Sequence, residues 1–268
     1  MPGLRRAELN RTDAEVLCVI PARMASTRFP GKPLARIAGL PMIEHVWRRV
    51  RRCPMISRVL IATCDKEIAR AAAAFGAQAV MTSPSHQRAT DRVAEIARSR
   101  KETIILMVQG DEPLITTRML EQALLPMRED PKVQCVNLMA PIDDERDFSD
   151  PNTIKVVTDE RGDALYFSRE PIPTTARVNF RDLRVFKQVC VIPFRRDALL
   201  AFERLEPTAL EKAESIDMLR FVGHGIPVRM IRTKERTQSV DTPSDLRRAE
   251  RLMRSDPAFA QYRREAFR

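Results

Sequence analysis

Paired cysteines, long apolar runs and nucleotide-binding glycine motifs are all missing from this 268-residue chain. Five cysteines (Cys18, Cys53, Cys64, Cys135, Cys190) are odd in number, scattered and without Cys-x-x-Cys spacing, so they read as reduced buried thiols in a cytoplasmic protein. No run of about 18 apolar residues occurs, which predicts no membrane span. The charged segment Met1–Glu15 has no apolar core, so no secretory signal is expected. The three histidines, His45, His86 and His224, lack zinc-like spacing, and His45 lies in an amphipathic stretch where it reads as structural. Gly-x-Ser-x-Gly, Gly-x-Gly-x-x-Gly and Gly-Lys-Ser/Thr are absent too. Serine hydrolysis, hydride transfer on a Rossmann fingerprint and P-loop phosphate transfer therefore lack their usual supports. Aromatics are only 5%, and the basic residues run along the whole chain. A nucleic-acid binder would gather them into one stripe with aromatics between, so no nucleic-acid partner is expected.

What is present is 44% hydrophobic and 31% charged residues, enough for one large domain with a sizeable core. The net charge is +10, and 38 of the 46 basic residues are arginine. This fits either a general arginine bias on solvated faces or attraction of an anionic substrate.

The apolar pattern alternates. Strands are predicted at 15–22, 58–63, 79–81, 103–109 and 133–139, with helices near 42–50, 65–75, 89–98 and 117–128. This order predicts an α/β fold: a mainly parallel sheet with helices on both faces. Ligands then bind beyond the carboxyl ends of the strands, where the loops 21–33, 83–92 and 109–113 lie. From about 141 to 200 the pattern turns β-rich, with strands at 152–159, 164–167 and 185–193. It reads as a lobe inserted in a single domain of residues 14–254 and suited to subunit contact. A helix is expected at 208–222, a strand at 227–231 and a last helix at 243–254. The charged tail 255–268 is expected to fray.

Two features at that edge carry chemistry. The loop Pro21-Ala-Arg23-Met-Ala-Ser26-Thr-Arg28-Phe-Pro-Gly31-Lys32-Pro33 holds three cations and two hydroxyls within ten residues, beside a glycine that lets backbone approach a ligand. Such a loop suits a polyphosphate, or is simply an exposed basic turn. Val108-Gln-Gly-Asp111-Glu-Pro113 delivers a carboxylate at a strand end, as Mg²⁺ sites commonly do. Asp241 ends a third short run, where it reads either as a ligand or as a helix N-cap.

These segments, with His86-Gln-Arg-Ala-Thr-Asp-Arg92, Ala164-Leu-Tyr-Phe-Ser-Arg169 and Val240-Asp-Thr-Pro-Ser-Asp-Leu246, resemble the 3-deoxy-manno-octulosonate (Kdo) cytidylyltransferase family from about Val16 to Arg254. The resemblance implies a nucleotide-diphosphosugar-transferase-like, Rossmann-like fold, usually dimeric, and Mg²⁺-dependent transfer of CMP from CTP to an anionic acceptor. It implies catalytic roles for Arg23, Lys32 and Asp111. Nucleotide contacts would come from Ala22, Arg23, Ser26, Arg28, Lys32, Gln87, Arg92 and Gln109. Asp111 and Asp241 would hold Mg²⁺, and Gln109, Arg169, Gln188 and Asp217 would face the acceptor.

The acceptor region departs from the family pattern. Gln188-Val-Cys-Val-Ile192 stands where the family has His-x-Gly-x-Tyr, and Ile216-Asp-Met-Leu-Arg220 stands where it has Leu-Glu-Gln-Leu-Arg. Lost polar partners typically cost about 1 kcal/mol each or more. These changes favour an acceptor other than ordinary Kdo, either a modified octulosonate or a small phosphonate, with ordinary Kdo as the alternative. The rival of another class is a non-catalytic basic nucleic-acid-binding or regulatory protein, against which the intact Arg23, Lys32, Asp111 and Asp241 argue.

Overall fold

The computed structural model describes residues 15–25, 28–236 and 238–266. β1 (Val16–Ala22) is buried throughout and leads through the basic loop to one turn of 3-10 helix, Lys32–Leu34. A small hairpin follows, β2 (Arg36–Ile37) and β3 (Leu40–Pro41), then α1 (Met42–Val50), whose Ile43, Val46, Trp47 and Val50 form one apolar stripe against the sheet. Next come β4 (Arg58–Thr63), α2 (Lys66–Ala74), β5 (Ala79–Met81), α3 (Ala89–Arg98), β6 (Ile104–Val108) and α4 (Thr117–Glu129). The second half holds β7 (Val136–Pro141), α5 (Glu145–Ser149), β8 (Lys155–Thr158), β9 (Ala164–Ser168), β10 (Phe186–Val189) and β11 (Val191–Arg195). It ends with α6 (Arg196–Arg204), α7 (Ala209–Glu214), α8 (Met218–Gly223), β12 (Arg229–Arg232), α9 (Pro243–Arg254) and α10 (Pro257–Ala266).

One five-stranded sheet runs β11-β6-β1-β4-β5. Its inner strands are parallel, and β11 closes the edge antiparallel to β6. β1 sends Val16, Cys18 and Ile20 into one core and Leu17 and Val19 into another, so helices cover both faces. That double burial is why its sequence is a continuous apolar run. A second five-stranded sheet, β12-β7-β10-β8-β9, is mixed, and a bridge between Cys135 and Phe194 joins the start of β7 to β11. No helix among the described residues is long and apolar enough to cross a membrane.

Three expectations need correction. The single strand at 185–193 is two, parted at Cys190: β10 lies in the second sheet and β11 in the first. The stretch 141–200 therefore feeds both sheets, because an apolar run reports burial and not the pairing partner. The helix at 208–222 is α7 and α8, separated at Ser215, whose φ of 57° is left-handed and ends a helix. The tail does not fray up to Ala266. α10 buries Phe259 and Tyr262 against Ile37, Leu40 and Met42, and the Tyr262 hydroxyl lies 2.6 Å from His45 Nδ1. His45 is structural, as expected: its Nε2 sits 2.7 Å from the Ile37 carbonyl, and burial pushes its pKa down to about 4.

Candidate nucleotidyl-transfer site

The carboxyl ends of β1 and β6 open into one cleft of about 380 Å³. Ala22, Arg23, Arg28, Lys32, Gln87, Arg92, Gln109, Asp111, Arg169, Gln188, Asp217 and Asp241 all line it. Ser26 lies outside the described residues.

Local rules set the basic side. Gly31 has a φ of 71°, a conformation glycine adopts without a Cβ penalty, and its N–H donates to the Met24 carbonyl at 3.1 Å. This closes the loop and starts the 3-10 turn at Lys32. Asp65, just beyond β4, accepts from the Met24 N–H at 2.8 Å and tethers the loop from the next strand. Gly110 follows β6 where a Cβ would come within 3.3 Å of the Pro21 carbonyl, so the two strand ends can lie side by side.

Lys32 Nζ lies 2.7 Å from Asp111 Oδ2 and 3.3 Å from Asp241 Oδ1. Burial works to lower the ammonium's pKa, but the two carboxylates outweigh it, so the net shift is upward and Lys32 stays charged. Arg28 Nη2 reaches Asp241 Oδ1 at 3.0 Å, and its Nη1 donates to Asn152. Asp241 is not the N-cap of α9. Thr242 takes that role in a capping box with Asp245, which leaves the Asp241 carboxylate to the cleft.

Among the described residues no three His, Cys, Asp or Glu side chains cluster into a closed metal cage. Asp111 and Asp241 instead both reach one ammonium, that of Lys32. Glu112 follows Asp111 in the chain and also lines the cleft. It is buried away from water, which together with Asp111 raises its pKa to about 8 and keeps it protonated at neutral pH. Because the folded-state value lies above the unfolded one, this group's contribution to stability is full below about pH 4.5 and falls away as pH rises toward 8. Glu112→Gln is therefore expected to exceed the parent in stability at pH 8 by about 1 kcal/mol or more, and to match it at pH 4.5. Urea unfolding at the two pH values checks this, and equal differences at both would refute it.

On the opposite wall, Arg92 is buried and donates to the Thr82 hydroxyl and, at 3.3 Å, to the Ser83 carbonyl. It shapes the 83–88 loop, which His86 also anchors by bonding Glu95. Gln87 is exposed at the rim. Arg169 is held by carbonyls, Nε to Glu214 at 2.7 Å and Nη1 to Pro151 at 2.8 Å. Gln188 Nε2 donates to Asn137 Oδ1 at 2.6 Å. Asp217 accepts from the Thr90 N–H at 3.2 Å and hydroxyl at 2.8 Å, capping α3 from outside, and burial raises its pKa. Ile192 and Met218 line the cleft as buried apolar groups.

Sequence reasoning passed over Arg88, Lys187 and Asn152, which also line the cleft. Arg88 lies 3.7 Å from Asp217 and bonds the Ser215 hydroxyl at 2.5 Å. Its place inside the His86–Arg92 motif was the available signal.

The family described as Cytidylyltransferase matches residues 17–234. A 3-deoxy-manno-octulosonate cytidylyltransferase of Geobacter metallireducens is 44% identical over 246 residues, covering 87% of this chain and 95% of its own. A solved CMP:2-keto-3-deoxy-manno-octonic acid synthetase complexed with CTP superposes with a TM-score of 0.82 at 39% identity, over 90% of this chain and 98% of that one. A putative glucose-1-phosphate thymidylyltransferase of Bacillus anthracis, 14% identical with a TM-score of 0.65 over 92% of this chain and 98% of its own, shares the fold alone. The nucleotide-diphosphosugar-transferase-like fold that the family resemblance implied is thus the fold found. With a matched family spanning most of its length and relatives of this identity, the chain is a nucleotidyltransferase that belongs to the 3-deoxy-manno-octulosonate cytidylyltransferases.

Proposed function

We propose that the protein transfers CMP from CTP to 3-deoxy-manno-octulosonate and releases pyrophosphate. The observation that carries this reading is identity of 44% to a protein of that name over 95% of its length. The departures at Gln188, Ile192, Asp217 and Met218 favoured another acid, but the relatives favour Kdo. The cleft also has more polar lining than those four positions suggest. Gln188 and Asp217 keep polar atoms in it, and Arg88, Lys187 and Asn152 add donors.

The chemistry follows from the placement. A hydroxyl of the acceptor attacks the α-phosphorus of CTP and pyrophosphate leaves, so no protein nucleophile is needed. Arg23, Arg28 and Lys32 offer cations to the triphosphate from one side of the cleft. Arg169, fixed by backbone carbonyls, offers its guanidinium to the acceptor's carboxylate with little ordering cost. Asp111 and Asp241 would hold Mg²⁺, which when bound neutralises charge on the phosphates. With Mg²⁺ on those carboxylates, the Lys32 ammonium would be released to face phosphate oxygens. We take the protein to be a homodimer, as the family resemblance implies.

The test is the steady-state rate with CTP, Mg²⁺ and Kdo. The expected kcat/KM is about 10⁴ M⁻¹s⁻¹ or above, within the ordinary enzyme range. A value lower by several powers of ten, together with brisk pyrophosphate release on a modified octulosonate or a phosphonate, would overturn the Kdo assignment and leave cytidylyl transfer standing.

A further inference from the structure

A second cavity lies apart from the catalytic cleft, between the C-terminal end of α1 and α10, and is lined by Arg48, Arg51, Arg52, Tyr262 and Glu265. Its volume is about 410 Å³. Arg48 is paired with Glu44 at 2.7 Å along the helix. Arg51 makes no ion pair among the described residues and stacks its guanidinium 4.6 Å from the centroid of Trp47. The Arg52 guanidinium donates to the Gln261 side chain at 2.7 Å and makes no ion pair among the described residues. The neighbouring Arg263 and Arg264 on α10 are exposed and also lack carboxylate partners among the described residues. Three guanidiniums, those of Arg48, Arg51 and Arg52, thus line a cavity with one carboxylate, Glu265, in its wall, while Glu44 is engaged by Arg48.

Such a cluster is unfavourable by itself. Like charges at the C-terminal end of a helix tolerate one another because the macrodipole there favours cations, but the excess still calls for a counter-charge. Planar guanidiniums held by stacking and by an amide are pre-oriented for oxygens of a tetrahedral anion. The cleft proposed above for the reacting phosphates is lined by Arg23, Lys32 and Asp111, none of which lines this cavity. We propose that it is a second anion site, which takes a phosphate-bearing ligand on Arg51 and Arg52. The ligand is either a free di- or polyphosphate or the phosphate of a lipid headgroup.

Trp47 is the chain's single tryptophan and lies under Arg51, so the site carries its own reporter. Inorganic pyrophosphate, titrated into the full-length protein in the presence of saturating CTP, is expected to change Trp47 emission along a saturable curve. In Arg51→Gln/Arg52→Gln the midpoint should rise at least tenfold, while kcat with CTP and Kdo stays unchanged. In a parallel arm, vesicles of phosphatidylglycerol in phosphatidylcholine are compared with phosphatidylcholine alone by flotation. Variant-sensitive binding to pyrophosphate identifies a soluble ligand, and variant-sensitive binding only to the anionic vesicles identifies a headgroup. If neither probe shows a response that the double variant weakens, the site does not exist. A pyrophosphate response that CTP abolishes and the variant retains would place the anion in the catalytic cleft and equally overturn the proposal. Circular dichroism of the variant guards against loss of fold. Should the double variant unfold, Arg52→Gln alone, which removes only a rim contact to Gln261, repeats the comparison.

Discussion

Asp111→Asn is expected to fold like the parent and to lose about 10³-fold or more in kcat/KM with CTP and Kdo. The side chain is nearly isosteric, and Lys32 keeps its other carboxylate, Asp241, at 3.3 Å, so no buried cation is left without a partner. What changes is charge at the end of β6, where Asp111 meets Lys32 at 2.7 Å. A divalent cation held as proposed by two carboxylates would lose one of its anionic ligands, and preorganised charge at a reacting phosphate is worth several kcal/mol in the transition state. The activation curve for Mg²⁺ should also move to higher concentration, which a purely structural role would not produce. Lys32→Met should lose activity on a similar scale and leave Asp111 without its cation, while Asp241 keeps Arg28 at 3.0 Å. Unchanged kcat/KM in Asp111→Asn at ordinary Mg²⁺ would remove Asp111 from the machinery.

Glu211→Gln is expected to destabilise the protein by about 3–5 kcal/mol, the usual cost of stranding one member of a buried ion pair. Glu211 receives Arg220 through two bonds, Nε at 2.7 Å and Nη2 at 2.6 Å, and only 1% of the glutamate is exposed. The same guanidinium lies over the Phe202 ring at 4.1 Å and reaches Asp91 at 3.3 Å. Neutralising the glutamate leaves a buried cation with Asp91 as its nearest remaining charge. Because α7 and α8 present Ser215 and Asp217 to the cleft, the variant's KM for the acceptor should rise more than its KM for CTP. Denaturant unfolding gives the first number and initial rates give the second. A loss under about 1 kcal/mol would mean that water or Asp91 takes over the neutralisation.

Much of the first sheet was legible because its strands are buried on both faces and its helices on one. β4, β5 and α3 have the boundaries that periodicity and flanking turns predict, and α9 opens where Thr242 and Asp245 form a capping box. The cleft was legible as a set of residues, since loops after parallel strands must gather at one edge. α10 was hidden because its apolar positions, Phe259 and Tyr262, are few among charges and are buried by segments distant in the chain, the β2–β3 hairpin and α1 among them. α7 and α8 merged because nothing local in Ser215 announces a positive φ.

By itself the sequence determined burial and backbone: which runs are apolar on both faces, where glycine and capping residues bend the chain, and which motifs share an edge. These depend on neighbours a few residues away, so they can be read along the chain. Only the tertiary structure decided the partners. Lys32 meets Asp111 from 79 positions away and Asp241 from 209. Asp217 caps α3 across 127 positions, and Arg49 is neutralised by Asp256 across 207. It also divided one apolar run, 185–193, between two sheets. Hydrophobic pattern specifies that a group must leave water, but not against what. Which charge compensates which is settled when the chain closes on itself, because a buried ion is tolerated only where the fold brings its counter-charge within a few ångströms.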